Sequence, residues 1–265
     1  MDLLNAFLLG AVQGVTEFLP ISSSGHLVLG EAFLGLDVAN LKSFDVVVHM
    51  ASLLAIVVYF WKDVLGLINA FLGLFIGSRK NEYTSLVWFI IIGTIPAVIV
   101  GFTLEDYIDS AFRNVAAVGM FMMLIGVLFL LGEMVNKRVS KSKLNHKNTF
   151  IIGLAQACAL IPGISRSGST IVAGLFQGVD RSAAARFSFL LGIPAILGAG
   201  LLTGIKVFQS GVLDVPFASL MTGFLASFVF GLVSIWGLMK FLKKHTLVVF
   251  AVYLIGIGIA ITLLG

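Results

Sequence analysis

Charge is what this chain has least of. Asp, Glu, Lys and Arg make up 11% of its 265 residues, where soluble domains average about 25%, and 59% of the residues are hydrophobic. A mean hydropathy of +1.08 with so little charge excludes an ordinary soluble domain and predicts an all-α polytopic membrane protein. Cysteine is nearly missing. Cys158 stands alone, so no intramolecular disulfide can form and thiols say nothing about compartment. No His and Cys cluster has zinc spacing, and no glycine-rich loop carries a P-loop lysine. The net charge of +4 is not gathered into an exposed basic domain, which argues against nucleic acid as a partner. The first residues, MDLLNAFLLGAVQG, lack a positive n-region and a small-residue cleavage site, and are not expected to be a signal peptide.

A further lack is informative. Neither half of the chain opens with an apolar run of the roughly 20 residues that a membrane span requires. Residues 1–36 carry Gln13, Glu17, Pro20, Ser22, Ser23, Ser24, Gly25 and His26 between two short apolar arms. A straight span would leave all of these in lipid. A re-entrant hairpin avoids that cost if protein shields its loop. Residues 149–179 are interrupted in the same way by PGISRSGST, Pro162 to Thr170, which packs one arginine, four hydroxyls and two glycines into nine residues.

The two halves align. A gapless shift of 143 residues pairs Gly10 with Gly153 and Gln13 with Gln156. It also pairs Ile21, Ser22, Ser24 and Gly25 with Ile164, Ser165, Ser167 and Gly168, and Gly35 and Asp37 with Gly178 and Asp180. The shared polar loop is not a by-product of apolar composition. The chain therefore reads as two repeats, each a re-entrant helix hairpin plus three transmembrane helices. The first repeat covers 1–135, with a hairpin at 1–36 and spans at about 41–60, 86–104 and 115–134. A stretch at 64–77 is too short to cross and reads as an interfacial helix. Residues 136–148 form a basic linker. The second repeat covers 149–265, with a hairpin at 149–179 and spans at about 184–205, 217–239 and 246–264. Pro96 predicts a kink in the second span.

Three crossings per repeat insert the second copy upside down, an inverted-topology plan that brings broken helices together near the midplane. With the N-terminus outside, Lys62, Arg79, Lys80, the linker lysines, Arg181, Arg186 and the Lys240–Lys244 group all fall inside. Only Lys42, Arg113 and Lys206 fall outside. The positive-inside rule selects this orientation: both termini outside, the linker cytoplasmic, and the two hairpin tips free to meet within the protein.

The tips hold the candidate chemistry. Gln13 and Glu17 are four residues apart and share a helix face. Their oxygens suit a hard cation such as Mg²⁺ or Ca²⁺. Glu17 and Arg166 are alternatively a plain buried ion pair, and Arg166 alone is alternatively a snorkelling surface residue. His26, beside serines and a carboxylate, suits a general acid/base. Ser22, Ser24, Ser165, Ser167, Gly168 and Thr170, with Arg166, suit a phosphate-binding loop. The same hydroxyls also suit loop capping, and one of them a nucleophile. Asp37 and Asp180 read as helix caps. Asp45 and His49 are expected to support the site from behind, and Gln156 to orient the second hairpin or reach the same cation from a supporting position.

At this point the sequence resembles a known family. QGVTEFLPISSSGH, residues 13–26, resembles the (E/Q)xxxE signature and its serine–glycine–histidine turn in the membrane-embedded undecaprenyl-diphosphatases, also called bacitracin-resistance proteins. PGISRSGST resembles that family's second signature, and the similarity extends over essentially the whole chain. The resemblance implies hydrolysis of a C55 isoprenyl diphosphate to the monophosphate carrier and inorganic phosphate, dependent on Mg²⁺ or Ca²⁺. It places Gln13 and Glu17 in the (E/Q)xxxE positions, Ser23 and His26 as nucleophile and partner, and Arg166 with Ser165, Ser167 and Thr170 in the phosphate loop. It implies a bacterial plasma membrane, a site facing the outer side, recycling of the carrier for peptidoglycan, and bacitracin resistance. Water is the alternative nucleophile, a lipid-phosphate or anion transporter (flippase) is the alternative function, and a homodimer is left open.

Overall fold

The computed structural model describes residues 1–36, 41–76, 82–112, 114–210 and 215–264. Asp37, Arg79, Lys80 and Arg113 lie outside the described residues, as does the side chain of Lys42. Among the described residues there are eleven helices and no strand. They are α1 (Leu3–Phe18), α2 (Ser23–Phe33), α3 (Lys42–Tyr59), α4 (Trp61–Phe75), α5 (Glu82–Phe112), α6 (Val115–Arg138), α7 (His146–Cys158), α8 (Arg166–Phe176), α9 (Arg181–Ser210), α10 (Phe217–Leu242) and α11 (Val248–Leu264). Helix starts follow local chemistry. Asn114 caps α6 by accepting from the Ala117 amide at 2.8 Å. Asn145 and Asn148 form a reciprocal capping box at α7. Asp180 caps α9 through the Ser182 amide at 2.9 Å.

Four helices contain stretches long and apolar enough to cross a membrane: Glu82–Leu104, Val115–Arg138, Arg181–Val207 and Phe217–Leu242. A fifth candidate is the bent pair Ser43–Tyr59 and Trp61–Phe75, which turns by 87° at Phe60. The protein is thus an all-helical, multi-pass membrane protein. Pro96 and Pro194 both lie inside long helices, α5 and α9. Helix-interior proline is tolerated in membrane helices because neighbouring groups re-satisfy the freed backbone carbonyl.

The helices exchange partners between the two halves. α1 packs along α10, and α7 along α5; α6 faces α11 and α3 faces α9. Lipid supplies no hydrophobic drive to helix association, so small residues that permit close approach decide such seams. A Cβ on Gly10 would run into the Gly223 backbone across α1 and α10. A Cβ on Gly153, the aligned residue of the second half, would lie 2.7 Å from the Gly93 carbonyl oxygen across α7 and α5. The same aligned position makes the same glycine-on-glycine contact twice.

The hairpin arms are unequal. α8 buries nine successive residues, Ser167 to Leu175, whereas α2 buries only Gly25, Leu27 and Glu31. The end of α1 is pinned in the main core. Phe18 is fully buried and meets Phe189 of α9 edge-on at 5.6 Å between ring centroids. The residue before it is Glu17, so this anchor fixes where the carboxylate sits. On the far end of α6, Glu133 is buried and ion-pairs with Arg181 of α9. It also accepts from the Leu247 amide at the head of α11 at 2.9 Å, tying three helices together.

Candidate active site

Two helix N-termini converge on Glu17. α2 begins at Ser23 and α8 begins at Arg166, two residues that the 143-residue shift makes equivalent. Each reaches one oxygen of the same carboxylate. The Ser23 hydroxyl donates to Oε2 at 2.7 Å, and Arg166 Nη2 donates to Oε1 at 2.7 Å. Gln13 Nε2, one turn back on α1, also donates to Oε2 at 3.0 Å. The Glu17 side chain is 6% exposed and that of Arg166 15%, so this ion pair is largely withdrawn from water. Removing one member of such a pair strands the other charge, at a cost of about 3–5 kcal/mol.

Each tip is shaped by its own cap. Ser165 accepts the Gly168 amide at 3.0 Å and its hydroxyl lies 3.2 Å from Ser167 Oγ. Ser167 in turn donates to the Glu17 carbonyl at 3.3 Å, joining the second tip to the backbone of the first hairpin. In the first tip, Ser22 accepts the Gly25 amide at 3.4 Å, and the exposed Ser24 has its hydroxyl 3.4 Å from that of Ser22. Ser22 has φ +72°, the one positive φ outside glycine among the described residues. Strain of this kind costs about 1–3 kcal/mol and gathers at functional sites. Here it turns the Ser22 carbonyl toward both His26 nitrogens that carry a proton, the backbone N at 3.2 Å and Nδ1 at 2.8 Å.

Around this centre stand residues from α3, α9 and α11. His49 on α3 donates from Nδ1 to the Asp45 carbonyl at 2.7 Å, which leaves Nε2 facing Glu17 Oε2 at 3.9 Å. Arg166 Nη1 donates to the Ser188 carbonyl of α9 at 3.3 Å. Gly192, one turn further along α9, supplies the space that the guanidinium occupies; a Cβ there would collide with it. Thr170 is engaged internally, donating to the Arg166 carbonyl at 2.7 Å and lying 2.7 Å from Ser188 Oγ. His26 does not meet Ser23. Its Nε2 lies 2.6 Å from the Tyr253 hydroxyl of α11.

The structure therefore brings Gln13, Glu17, Ser23, Arg166 and Ser167 into one hydrogen-bonded cluster, with His49 at its edge and His26 one residue-turn away. Gln156 lies elsewhere, in the α7–α5 seam, donating to the Gly93 carbonyl at 3.3 Å. Ser52, which accepts from Gln13 Nε2 at 3.4 Å, stands with Ser188, Gly192 and Tyr253 outside the sequence motifs. Two of them carry a signal that was available: Ser188 and Gly192 are the shifted counterparts of Asp45 and His49. For Tyr253 and Ser52 no motif points to the site.

The orphan atom in the cluster is Gln13 Oε1, which is buried and has no hydrogen-bond partner among the described residues. A buried amide oxygen without a donor is costly. It is an oxygen of the kind a hard cation takes, offered beside a single carboxylate; no group of three His, Cys, Asp or Glu that could hold a metal stands among the described residues.

Comparison with known proteins gives one answer along the chain. The family model described as bacitracin resistance protein BacA matches residues 6–260. A protein of Methanosphaera stadtmanae named undecaprenyl-diphosphatase is 42% identical, with 100% of this chain and 99% of that protein covered. One from Bacillus cereus named undecaprenyl-diphosphatase 4 is 40% identical, covering 98% and 96%. One from Rubrobacter xylanophilus named undecaprenyl-diphosphatase is 42% identical, covering 96% and 94%.

Proposed function

Because the chain belongs to the bacitracin resistance protein BacA family, we propose that it is an undecaprenyl-diphosphatase, an integral membrane hydrolase that removes the terminal phosphate of a prenyl diphosphate. The observation that carries this reading into the chemistry is the Glu17 carboxylate held by Ser23 from one hairpin and Arg166 from the other. The relatives bear the names of phosphatases, and nothing in the comparisons favours a transporter.

Phosphoryl transfer requires positioning and charge stabilisation above all. Arg166 has five N–H donors in a planar fork, and the two to Glu17 and Ser188 leave others for phosphate oxygens. The first residues of α2 and α8 both reach Glu17, which brings the positive ends of two helix dipoles to one carboxylate. The Ser23 hydroxyl hydrogen already rests on Glu17. In the proposed step the Ser23 oxygen bonds to the terminal phosphorus as its proton passes to Glu17. The bridging P–O bond breaks, and the prenyl monophosphate leaves with that electron pair. A water then attacks the phosphoserine and gives its proton to His26 Nε2, displacing the Tyr253 hydroxyl that rests there, and inorganic phosphate departs as Ser23 takes back the proton held by Glu17. Gln13 and Glu17 would hold the divalent cation, which neutralises diphosphate charge when bound.

The apolar helices place the enzyme in a membrane. Within this reading that is the bacterial plasma membrane, with the two repeats inserted in opposite senses, both termini and the site toward the outer side, and the basic linker cytoplasmic. The polar head enters between the tips while the prenyl chain stays in lipid. The monophosphate product is the carrier reused for peptidoglycan, and its supply underlies bacitracin resistance.

The test is phosphate release from undecaprenyl diphosphate by purified protein in detergent, with and without Mg²⁺ or Ca²⁺. Cation-dependent release supports the reading; lipid movement across vesicles without release overturns it. The nucleophile is read by acid-quenched turnover in H₂¹⁸O. A trapped phosphoserine at Ser23 is expected, and inversion at a chiral terminal phosphorus, in place of the retention given by two displacements, would assign attack to water.

A further inference from the structure

We infer that Tyr253 is a positioning residue for His26, and that the last helix thereby takes part in the reaction proposed for the hairpin tips. The inference rests on the reading of His26 as the acid/base. The Ser22 carbonyl only accepts, so the Nδ1 contact at 2.8 Å puts the proton of the neutral imidazole on Nδ1 and the lone pair on Nε2. The group at Nε2 is the Tyr253 hydroxyl at 2.6 Å, which therefore donates. The two rings are nearly parallel, 12° apart with centroids at 5.7 Å. Ser22 fixes the imidazole from behind and Tyr253 fixes it in front.

The restraint has a reason in the packing. His26 rides on α2, the arm that buries only Gly25, Leu27 and Glu31, and not on the deeply buried α8. Ser23 and Glu17 are bonded to each other, so neither steers the imidazole. A side chain on a lightly packed arm wanders, and a misplacement near 1 Å costs about 10²-fold in rate. α11 is the firmer post. A Cβ on Gly258 would lie 2.6 Å from the Gly119 carbonyl, and a Cβ on Gly119 would lie 3.0 Å from the Gly258 carbonyl, so α6 and α11 are in backbone contact. Tyr253 stands on the same helix, and its hydroxyl transfers that rigidity to His26 across 227 residues of sequence.

Tyr253→Phe keeps the stacked ring and removes only the donor. Two readouts are combined: kcat and KM for phosphate release, and ¹⁵N chemical shifts of the histidine side chains, with His26 assigned by its absence in His26→Asn. The expected result is a kcat lowered about tenfold, the scale of one lost hydrogen bond, at little-changed KM. The His26 Nε2 resonance should move downfield toward an unbonded pyridine-type nitrogen while Nδ1 stays protonated. Incorporating 3-fluorotyrosine at 253 should restore both. An unmoved Nε2 resonance overturns the hydrogen bond, and a moved resonance with unchanged kcat overturns the positioning role. Full turnover in His26→Asn would instead sink the acid/base reading beneath both, which separates the two failures.

Discussion

Replacing Gly192 by alanine isolates the placement of one guanidinium. The added Cβ would lie 2.7 Å from Arg166 Cζ and 3.2 Å from Nη2, with Nη1 nearer still. Ordinary contacts of this kind sit at about 3.5 Å or more. Cζ must therefore retreat by about 1 Å, and the 2.7 Å hydrogen bond from Nη2 to Glu17 cannot survive in its present geometry. The fold has little reason to object. The clash is with the tip of a flexible side chain, and alanine in a helix interior is favoured over glycine by about 0.5–1 kcal/mol. The consequence should fall on the chemistry. A displacement of this size costs about 10²-fold in kcat, equivalent to about 2.7 kcal/mol of barrier. The comparison is Gly198→Ala on the same helix, where the added Cβ meets nothing within 4 Å. The assay is phosphate release in detergent at saturating cation, alongside thermal unfolding of the same preparations. Gly192→Ala should unfold no earlier than wild type and turn over about a hundredfold more slowly, with Gly198→Ala unaffected. Wild-type turnover in well-folded Gly192→Ala would show that Arg166 does no work from the position it occupies against α9.

Three further perturbations separate the members of the cluster. Glu17→Gln removes the acceptor of the Ser23 proton and leaves Arg166 without its charge partner, so turnover should fall by at least about 10³-fold, measured by phosphate release; a variant within tenfold of wild type would remove Glu17 from the reaction. Gln13→Leu deletes the orphan amide oxygen and should raise the Mg²⁺ concentration for half-maximal activity severalfold, read from a cation titration; an unchanged titration would take Gln13 out of cation binding. Glu133→Gln breaks the pair with Arg181 far from the tips and should destabilise the protein by about 3–5 kcal/mol, seen as a lower unfolding midpoint, while turnover per folded molecule is retained.

Much of this arrangement is written locally. The hairpins are legible because polar residues interrupt apolar runs too short to span, at Glu17 to His26 and at Pro162 to Thr170. The meeting of Glu17 with Arg166 follows from pairing the two interruptions. What is not legible depends on helix rotation and on contacts between distant helices. Apolar periodicity is weak in a helix surrounded by lipid on one side and protein on the other, so it does not say which face of α11 carries Tyr253 toward α2. The sharp turn of 87° between α3 and α4 is likewise a packing outcome, since the sequence marks only a change from span to interfacial helix. Asp45 and Gln156 show the converse. Both stand at suggestive spacings, yet Asp45 meets His49 through its backbone carbonyl and Gln156 serves the α7–α5 seam.

The 143-residue shift that aligns the two halves sets the single carboxylate in context. At equivalent positions the two copies hold Ser23 and Arg166, Glu17 and Leu160, His49 and Gly192, Asp45 and Ser188. Glycine is kept at the aligned positions that set two helix seams, Gly10 and Gly153. The chemistry is not kept, and each departure answers another. A second glutamate at 160 would add like charge to a buried site. Its place is apolar, and the cation Arg166 appears instead at the head of the second hairpin. A second imidazole at 192 would fill the space that Arg166 needs, and glycine stands there. Symmetric positions thus deliver a hydroxyl and a guanidinium to opposite oxygens of one carboxylate. Two aligned halves thus supply a one-sided site, as an unsymmetrical diphosphate with one reacting phosphorus requires.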